Sequence, residues 1–354
     1  MMGDCYFNGK GVKQDYNKAF YWLKQAADKG QVLAQFGLGV CYHNGAGVKK
    51  DIEKAEYWVK MAADQNYPDA KLALEELRKE REAELAEKEA ANKPKIDVDI
   101  NIPRTTAVNG ETFAVIIGNE KYRHVDGVSY AERDAKVMKE YVMQTLGIPE
   151  RQIYYVENGS YNDLRSAVNW LTKALEIYRG EGKAIFYYAG HGIPNEKDQT
   201  AYLLPVDGQG NDPGSAYSLR ALYEALGQVQ ARSIVVLLDA CFSGSKRDQG
   251  MLVSARGVAI KSKPSQPKGQ MVVFSAAQGD ETAYPYKKME HGMFTYYLLK
   301  KLQSSKGDVT LGALSDYIGR EVGKQSFLEN KKSQTPTVAA SPTLGDTWRN
   351  MKLK

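Results

Sequence analysis

The sequence lacks several features that would place it in a special class of protein. No run of 18 apolar residues occurs, so we expect no membrane-spanning helix and no membrane partner. Cysteine is scarce: three residues, an odd number, do not make a disulfide framework and fit a reducing compartment. The N-terminal residues have no long apolar stretch, which argues against a signal peptide. These absences together predict a cytoplasmic protein.

A strong excess of charge of one sign is also missing. The 354 residues include 48 Lys and Arg against 43 Asp and Glu, a net charge of +5, with no densely basic stretch. This distribution argues against a nucleic-acid partner. Aromatic residues are plentiful, with 23 Tyr, 9 Phe and 4 Trp, so the chain can form hydrophobic cores. The length predicts about two domains.

The N-terminal part of the sequence repeats. Residues 6–13 (YFNGKGVK) return 36 positions later as residues 42–49 (YHNGAGVK), and the match continues through Tyr-Trp and Ala-Ala pairs. Each unit predicts a glycine turn followed by a helix that begins at Asp15 or Asp51. The pattern resembles the Sel1-like repeat, a relative of the tetratricopeptide repeat, over residues 1–76. The resemblance implies an all-α solenoid that recruits a protein partner or regulates the rest of the chain.

The first repeat unit is shorter than the second. It begins inside its own first helix, and a solenoid unit needs neighbours to bury its apolar face, so we expect residues to be missing upstream. Cys5 and Cys41 occupy the same repeat position, which indicates a small buried residue at a helix contact.

A charged linker, residues 77–109, joins the repeats to the rest of the chain. Residues 71–93 are rich in Ala, Leu, Glu and Lys, which predicts a solvated helix that acts as a spacer and ends at Pro94. Beyond it, apolar residues alternate with polar ones from Ile96 to Ile102, which predicts a connecting edge strand.

Beyond residue 110, short apolar runs alternate with amphipathic helical stretches. The runs lie at residues 113–117, 153–156, 184–188, 234–238 and 271–274. Runs that are apolar throughout are typical of parallel strands covered on both faces. The alternation predicts an open α/β sheet, mostly parallel and flanked by helices. We expect this domain to span residues 110–326, with a C-terminal extension over 327–354.

Residues with catalytic chemistry follow two of these strands. His191 stands between two glycines after the strand 184–188, and Cys241 lies in the sequence DACFSG after the strand 234–238. Ligands of open α/β sheets bind beyond the carboxyl ends of the strands, and neighbouring strands lie about 4.8 Å apart, so the two side chains can face each other. A thiol beside an imidazole is a nucleophile with its base, the arrangement that acyl transfer needs.

The two motifs, YAGHG at residues 188–192 and DACFSG at residues 239–244, resemble those of the caspase-like cysteine peptidases, including the metacaspases. Their His and Cys are 50 positions apart, and the resemblance covers residues 110–326. It implies a caspase-hemoglobinase fold and an endopeptidase that acts on polypeptides without a cofactor. In it Cys241 would be the nucleophile and His191 the general acid/base, with an oxyanion hole formed by the backbone N–H groups of Gly192 and Cys241.

The resemblance also extends to substrate-binding residues. It implies that Asp134, Asp239 and Ser275 bind the substrate, and that the two carboxylates pair with the Arg or Lys side chain before the scissile bond. Arg133 departs from the family, where relatives usually have Asn. Some metacaspases bind calcium through an acidic cluster, but the corresponding residues 261–268 and 284–288 are basic here, so we expect no metal.

The loop after the cysteine strand, residues 244–270, is long for a compact domain. It carries six Lys and Arg residues among Gly, Ser and Pro, so it matches a pocket that prefers basic side chains. We expect the protein to cleave itself in this loop. Arg256 is the preferred site because its flanking residues are small and uncharged.

Two other functions are compatible with parts of the sequence. A catalytically silent caspase-like signalling scaffold would act through its repeats, but the intact His191 and Cys241 argue against it. Another α/β hydrolase would need an acidic third member of a triad, which has no recognisable place. His291 is a weaker candidate for the base because it precedes a helix, and Ser243 lacks the surroundings of a serine nucleophile.

Overall fold

The computed structural model describes residues 2–92, 96–195, 199–243, 265–279 and 281–354. The chain divides into two compact units, Met1–Pro94 and Lys95–Lys354, called here the repeat unit and the sheet unit. Within the described ranges, every helix is too short or too polar to cross a lipid bilayer.

Five helices are described in the repeat unit, which confirms the predicted all-α solenoid. They are α1 (Met2–Asn8), α2 (Tyr16–Ala27), α3 (Val32–Asn44), α4 (Ile52–Asp64) and α5 (Pro68–Asn92). As expected from the repeat, Asp15 and Asp51 cap α2 and α4, and their carboxylates accept the N–H groups of Lys18 and Lys54 at 3.0 and 2.9 Å. The long helix α5 includes the charged spacer that the sequence predicts.

Eleven strands are described in the sheet unit. They are β1 (Thr112–Gly118), β2 (Ile153–Glu157), β3 (Lys183–Ala189), β4 (Gly192–Pro194), β5 (Ala201–Leu203), β6 (Tyr217–Ser218), β7 (Ser233–Asp239), β8 (Met271–Ser275), β9 (Pro285–Tyr286), β10 (His291–Gly292) and β11 (Thr337–Ala340). Six of them form one sheet in the order β11-β8-β7-β3-β1-β2, while β4-β5-β6 and β9-β10 form small sheets of their own. All pairs in the large sheet are parallel except β11 with β8. The five predicted strands are therefore present.

Helices cover both faces of the large sheet. They are α6 (Ala131–Glu140), α7 (Tyr161–Ile177), α8 (Leu219–Gln228), α9 (Met293–Ser305) and α10 (Leu311–Asn330), with a π-helical turn at Tyr141–Thr145 and 3-10 turns at Glu150–Gln152, Pro213–Ser215, Lys287–Met289 and Pro342–Asn350. On one face Ile116 and Tyr187 pack with α6, α9 and α10, and on the other Val115 and Phe186 pack with α7 and α8. Because side chains alternate along each strand, both faces must be apolar, which explains the uninterrupted apolar runs.

The segment 96–102 differs from its prediction: it forms turns instead of an edge strand. Ile96 and Val98 are buried in the core on the α6 side of the sheet, and the Tyr141 hydroxyl donates to the Val98 carbonyl at 2.9 Å. The side chain of Gln303 binds the carbonyls of Asp97 and Ile100 at 2.7 and 3.0 Å. Side chains from the helical elements therefore bind the backbone carbonyls that a neighbouring strand would otherwise bind. The alternation of apolar and polar residues in this segment reflects which side chains are buried.

The residues expected as a C-terminal extension also differ from the prediction. Within 327–354, the strand β11 pairs antiparallel with β8 and completes the large sheet. A strand edge carries N–H and C=O groups that need partners, and β11 supplies them to β8. The folded sheet unit therefore continues well beyond residue 326.

Candidate active site

The structure brings His191 and Cys241 to the same edge of the sheet. Strands β3 and β7 are neighbours, and their last residues, Ala189 and Asp239, are paired in register. His191 and Cys241 each lie two positions beyond that pair, and they are 2% and 4% exposed. Since paired strands lie about 4.8 Å apart, the two residues lie on neighbouring turns at this edge of the sheet.

The surroundings of His191 define which ring nitrogen carries a proton. Its Nε2 lies 2.8 Å from the carbonyl oxygen of Asp126, and a carbonyl can only accept, so Nε2 donates. The neutral ring then has its basic nitrogen at Nδ1. Tyr122 supports the residue on the other side: its hydroxyl accepts the backbone N–H of His191 at 2.8 Å, and the two rings lie 4.8 Å apart.

The sulfur of Cys241 is held by the backbone of Ala283. The Ala283 N–H donates to Sγ at 2.8 Å, and the thiol lies 3.5 Å from the Ala283 carbonyl oxygen. A hydrogen-bond donor to sulfur favours the thiolate over the thiol. Tyr284 is the next residue, and its pKa is raised by burial and further by the negative charge that Cys241 can carry.

The predicted oxyanion-hole residue Gly192 packs directly against the cysteine turn. A Cβ at this position would lie 2.5 Å from the ring of Phe242 and 2.6 Å from the Cys241 carbonyl oxygen, so only glycine fits. Gly192 is also the first residue of β4, whose pairing with β5 fixes the turn that carries His191. The oxyanion hole itself stays a prediction.

The two predicted pocket carboxylates, Asp134 and Asp239, are buried, with 0% and 1% exposure. Asp239 accepts the backbone N–H and the hydroxyl of Thr295 at 3.2 and 2.6 Å. Asp134 accepts the N–H of Gly292 at 2.9 Å and lies 2.6 Å from Nδ1 of His291. Both carboxylates therefore lie against the N-terminal end of α9, where the helix dipole favours negative charge.

The third predicted substrate residue, Ser275, lies elsewhere at the sheet edge. It ends β8 and pairs with Leu238 and Thr337 on the two flanking strands. It lines a cavity of about 380 Å³ together with Phe242, which follows Cys241 in the chain, and Gln278. The structure thus separates Ser275, at a cavity, from the two carboxylates, which are bonded internally.

His291 has a larger role in the structure than its sequence suggests. Its Nδ1 faces Asp134, and its Nε2 lies 2.8 Å from Oδ1 of Asp99. Burial alone would lower the pKa of this imidazole, but the hydrogen bonds to both carboxylates outweigh it and raise the pKa to about 9. His291 is therefore charged at neutral pH.

Sequence reasoning missed Asp99 and the role of Arg133. The guanidinium of Arg133 binds Asp99, with Nε at 3.1 Å from Oδ2, and also binds Glu290. Burial favours the neutral form of Asp99, but the bonds to His291 and Arg133 prevail and lower its pKa. The available signal was the pair of acidic residues, Asp97 and Asp99, between buried apolar ones.

Two predicted features stay predictions. Arg256, the preferred self-cleavage site, lies outside the described residues, as does most of the loop 244–270. In the parts of the chain that are described, no group of three or more His, Cys, Asp or Glu side chains could hold a metal ion. Calcium independence therefore still needs a direct measurement.

Comparison with known proteins covers both units. The family model of the Caspase domain matches residues 111–345, more than half of the chain, and that of the Sel1 repeat matches residues 1–31 and 32–67. No curated protein matches the chain.

Three solved structures resemble parts of the chain. A protein from Geobacter sulfurreducens is 16% identical, with a TM-score of 0.51, over 69% of this chain and 98% of that chain. Caspase-1 from Spodoptera frugiperda is 14% identical, with a TM-score of 0.46, over 68% of this chain and 91% of that chain. A Sel1 repeat protein from Oxalobacter formigenes is 46% identical, with a TM-score of 0.20, over 21% of this chain and 30% of that chain. The family models and the sheet topology show that the chain belongs to the Caspase domain family and carries Sel1 repeats in front of that domain.

Proposed function

We propose that the protein is a cysteine endopeptidase in which Cys241 and His191 hydrolyse peptide bonds. Members of the Caspase domain family are cysteine peptidases, which supports the reaction class. The single observation that supports this chain's own residues is their equal position, two residues beyond the paired ends of β3 and β7. A nucleophile and a base at adjacent strand ends meet the geometric requirement of acyl transfer.

The reaction proceeds in two halves. The basic nitrogen of His191 takes the thiol proton, and the Cys241 sulfur attacks the scissile carbonyl carbon to form a tetrahedral intermediate. The backbone N–H groups of Gly192 and Cys241 stabilise its oxyanion. His191 then donates the proton to the leaving amine, and a water molecule, activated by the same ring, hydrolyses the acyl-enzyme and restores the thiol.

Substrate access requires a local movement. Cys241 is 4% exposed, and its sulfur is bonded to the backbone of Ala283. Residues that cover Cys241 must therefore shift when a peptide carbonyl approaches Sγ, as loops at many active sites do, while the Ala283 N–H stays on the sulfur.

Preference for Arg or Lys before the scissile bond is part of the proposal, with Asp134 and Asp239 as the binding groups. Both carboxylates already bind internal groups, His291 at Asp134 and Thr295 at Asp239, so a substrate cation must bind beside these groups and share the carboxylates with them. Self-cleavage at Arg256 depends on the same preference.

The Sel1 repeats supply the second part of the proposal. Repeat solenoids bind other proteins through extended surfaces. We assign to the repeat unit the recruitment of a protein partner or the regulation of the peptidase.

The deciding experiment combines a covalent probe with peptide hydrolysis. A peptidyl ketone that ends in Arg should label Cys241, and fluorogenic peptides that end in Arg or Lys should be hydrolysed faster than those that end in Asp or Leu. His191→Ala should lower kcat/KM by about a thousandfold or more while the protein stays folded. A folded His191→Ala variant with undiminished turnover would refute the dyad, and hydrolysis of Asp-ended peptides alone would refute the specificity.

A further inference from the structure

A cluster of buried charged side chains lies close to the candidate active site and includes Asp134, one of the two carboxylates proposed to bind the substrate. At its centre His291 is 0% exposed and has a carboxylate at each ring nitrogen, Asp134 at 2.6 Å and Asp99 at 2.8 Å. Ionised carboxylates only accept hydrogen bonds, so both ring nitrogens donate and the ring is an imidazolium. A buried cation with two such partners fixes the position of all three residues.

The three side chains come from three different elements of the sheet unit. Asp99 belongs to the segment 96–102, Asp134 to α6, and His291 to β10. Arg133 adds a further bridge, since its guanidinium binds both Asp99 and Glu290, the residue before His291. The charged groups that surround the imidazolium thus connect the segment 96–102 to α6 and to the chain just before α9.

The chain before α9 leads directly to the nucleophile. Strands β9 and β10 pair antiparallel, with Tyr286 opposite His291 and Pro285 opposite Gly292. The N–H of Met293 donates to the Tyr284 carbonyl at 3.0 Å. Ala283 precedes Tyr284, and its N–H donates to Sγ of Cys241 at 2.8 Å. A displacement of His291 therefore reaches the thiol through one short hairpin.

A second anchor, Gln334, holds the chain at the start of the same hairpin. Gln334 is completely buried, its Oε1 accepts the Tyr284 N–H at 2.9 Å, and its Nε2 donates to the Ala276 carbonyl at 2.9 Å. Gln334 is neutral, so it holds the backbone of Tyr284 in place without adding a charge. The carboxylates around His291 supply the electrostatic part of the support.

We propose that Asp99, His291 and Asp134 form a positioning triad, which holds the β9–β10 hairpin so that the Ala283 N–H stays on Cys241 Sγ and favours the thiolate. These residues act through the hairpin and do not touch the reacting atoms. The inference rests on the proposed function, because it assigns the nucleophile to Cys241.

The positioning triad enlarges the catalytic unit. Asp99 lies before the start of the family match at residue 111, in a stretch whose pattern suggests only a connection between two domains. Its carboxylate binds the second ring nitrogen of His291. The segment 96–102 is accordingly part of the peptidase and not of the linker.

The test compares Asp99→Asn with Asp97→Asn in the full chain. Both substitutions remove one carboxylate from the same segment, but Asp97 binds Tyr296 and Lys300 on α9 and does not touch His291. Peptide mass spectrometry gives the rate of iodoacetamide alkylation at Cys241 as a function of pH. Steady-state kinetics with the best fluorogenic peptide gives kcat and KM.

Asp99→Asn should raise the pH midpoint of Cys241 alkylation by about one unit and lower kcat by about tenfold to a hundredfold, with KM changed less. Asp97→Asn should leave both the midpoint and kcat close to those of the wild type. A folded Asp99→Asn protein with an unchanged alkylation profile and unchanged kcat would overturn the proposal, as would equal effects of the two variants.

Arg133→Lys decides the matter if Asp99→Asn does not fold. Lysine keeps the charge but cannot bridge Asp99 and Glu290 as the planar guanidinium does, so the alkylation midpoint should shift in the same direction by a smaller amount. An unchanged profile would overturn the proposal. The alkylation profile is independent of turnover: if the wild type hydrolyses no peptide, the proposed function fails while the positioning triad is still tested.

Discussion

Two buried cysteines, Cys41 in the repeat unit and Cys241 in the sheet unit, have almost the same exposure and opposite surroundings. Cys41 is 0% exposed and packs among the apolar side chains of Leu23, Ala34 and Leu38. Cys241 is 4% exposed, but its sulfur receives a backbone N–H. Burial without a donor disfavours a charged sulfur, and it raises the pKa of Cys41 to about 11.

The difference lies in what each element presents to the sulfur. Cys41 lies within α3, where the backbone N–H groups are already used by the helix, and its thiol packs in an apolar cluster. Cys241 follows the end of β7, where the chain leaves its ladder and neighbouring backbone groups are available. We therefore expect the reactivity of these two cysteines to depend on their backbone surroundings more than on their exposure.

Removal of each cysteine in turn should have the largest effect. Cys241→Ala should lower peptide hydrolysis by about a thousandfold or more, whereas Cys41→Ala should change kcat/KM by less than about twofold. The removal of the Cys41 sulfur leaves a small cavity in the repeat core, so that variant should instead unfold at a lower temperature. Steady-state kinetics and thermal unfolding of both variants test this. Equal loss of activity in the two would refute the contrast.

The two cysteines should also differ in how their rates of alkylation depend on pH, which needs no substrate. At pH 8 the thiolate fraction of Cys41 should be only about one in a thousand, because its pKa is raised to about 11 by burial. Cys241, with its N–H donor, should react far faster. Peptide mass spectrometry after brief treatment with iodoacetamide between pH 6 and 10 gives both rates in one sample. Faster modification of Cys41 would contradict the expectation.

The stability of the two units should respond differently to alkaline pH. The pKa of His291 is raised from an ordinary 6.5 to about 9, because two carboxylates outweigh the effect of burial. Its contribution is therefore complete below pH 6.5 and is lost as the pH rises through 9, a decrease in the free energy of unfolding on the order of 3 kcal/mol. Hydrogen exchange at pH 6.5 and 9.5 follows each unit separately, and only the sheet unit should lose protection.

The control for that prediction is His291→Gln, which removes the titrating group. Its sheet unit should be less stable at pH 6.5 and should lose little more on the way to pH 9.5. An equally steep decline in this variant would show that another group causes it.

The smallest expected effect concerns the helix caps of the repeat unit. Asp15→Ala and Asp51→Ala each remove a carboxylate that accepts the first-turn N–H of α2 or α4. Each should lower the unfolding midpoint of the repeat unit by about 2–5 °C and leave the sheet unit and peptide hydrolysis unchanged. Calorimetry of both variants is sufficient. A shift in the unfolding midpoint of the sheet unit would contradict the expectation that these substitutions affect the repeat unit alone.

Much of the fold could be predicted from local patterns. The repeat offset of 36 positions located the capped helices, and the apolar runs located five strands. The edge strand expected at Ile96 to Ile102 was wrong because alternation reports which side chains are buried, not which backbone groups pair. The place of β11 could not be predicted either, because it depends on an edge left open by β8, more than 60 positions earlier.

The groups available for chemistry at the sheet edge could be read from local sequence: the strands along the chain, the two glycines beside His191 and the cysteine two positions after Asp239. The use of the remaining charges depends on how distant segments pack. Asp134 and Asp239 bind internal donors, and His291 joins Asp99 across 192 positions of chain, because buried carboxylates take the nearest buried donors. Such pairs depend on distances in space between distant segments, which no local pattern of residues encodes.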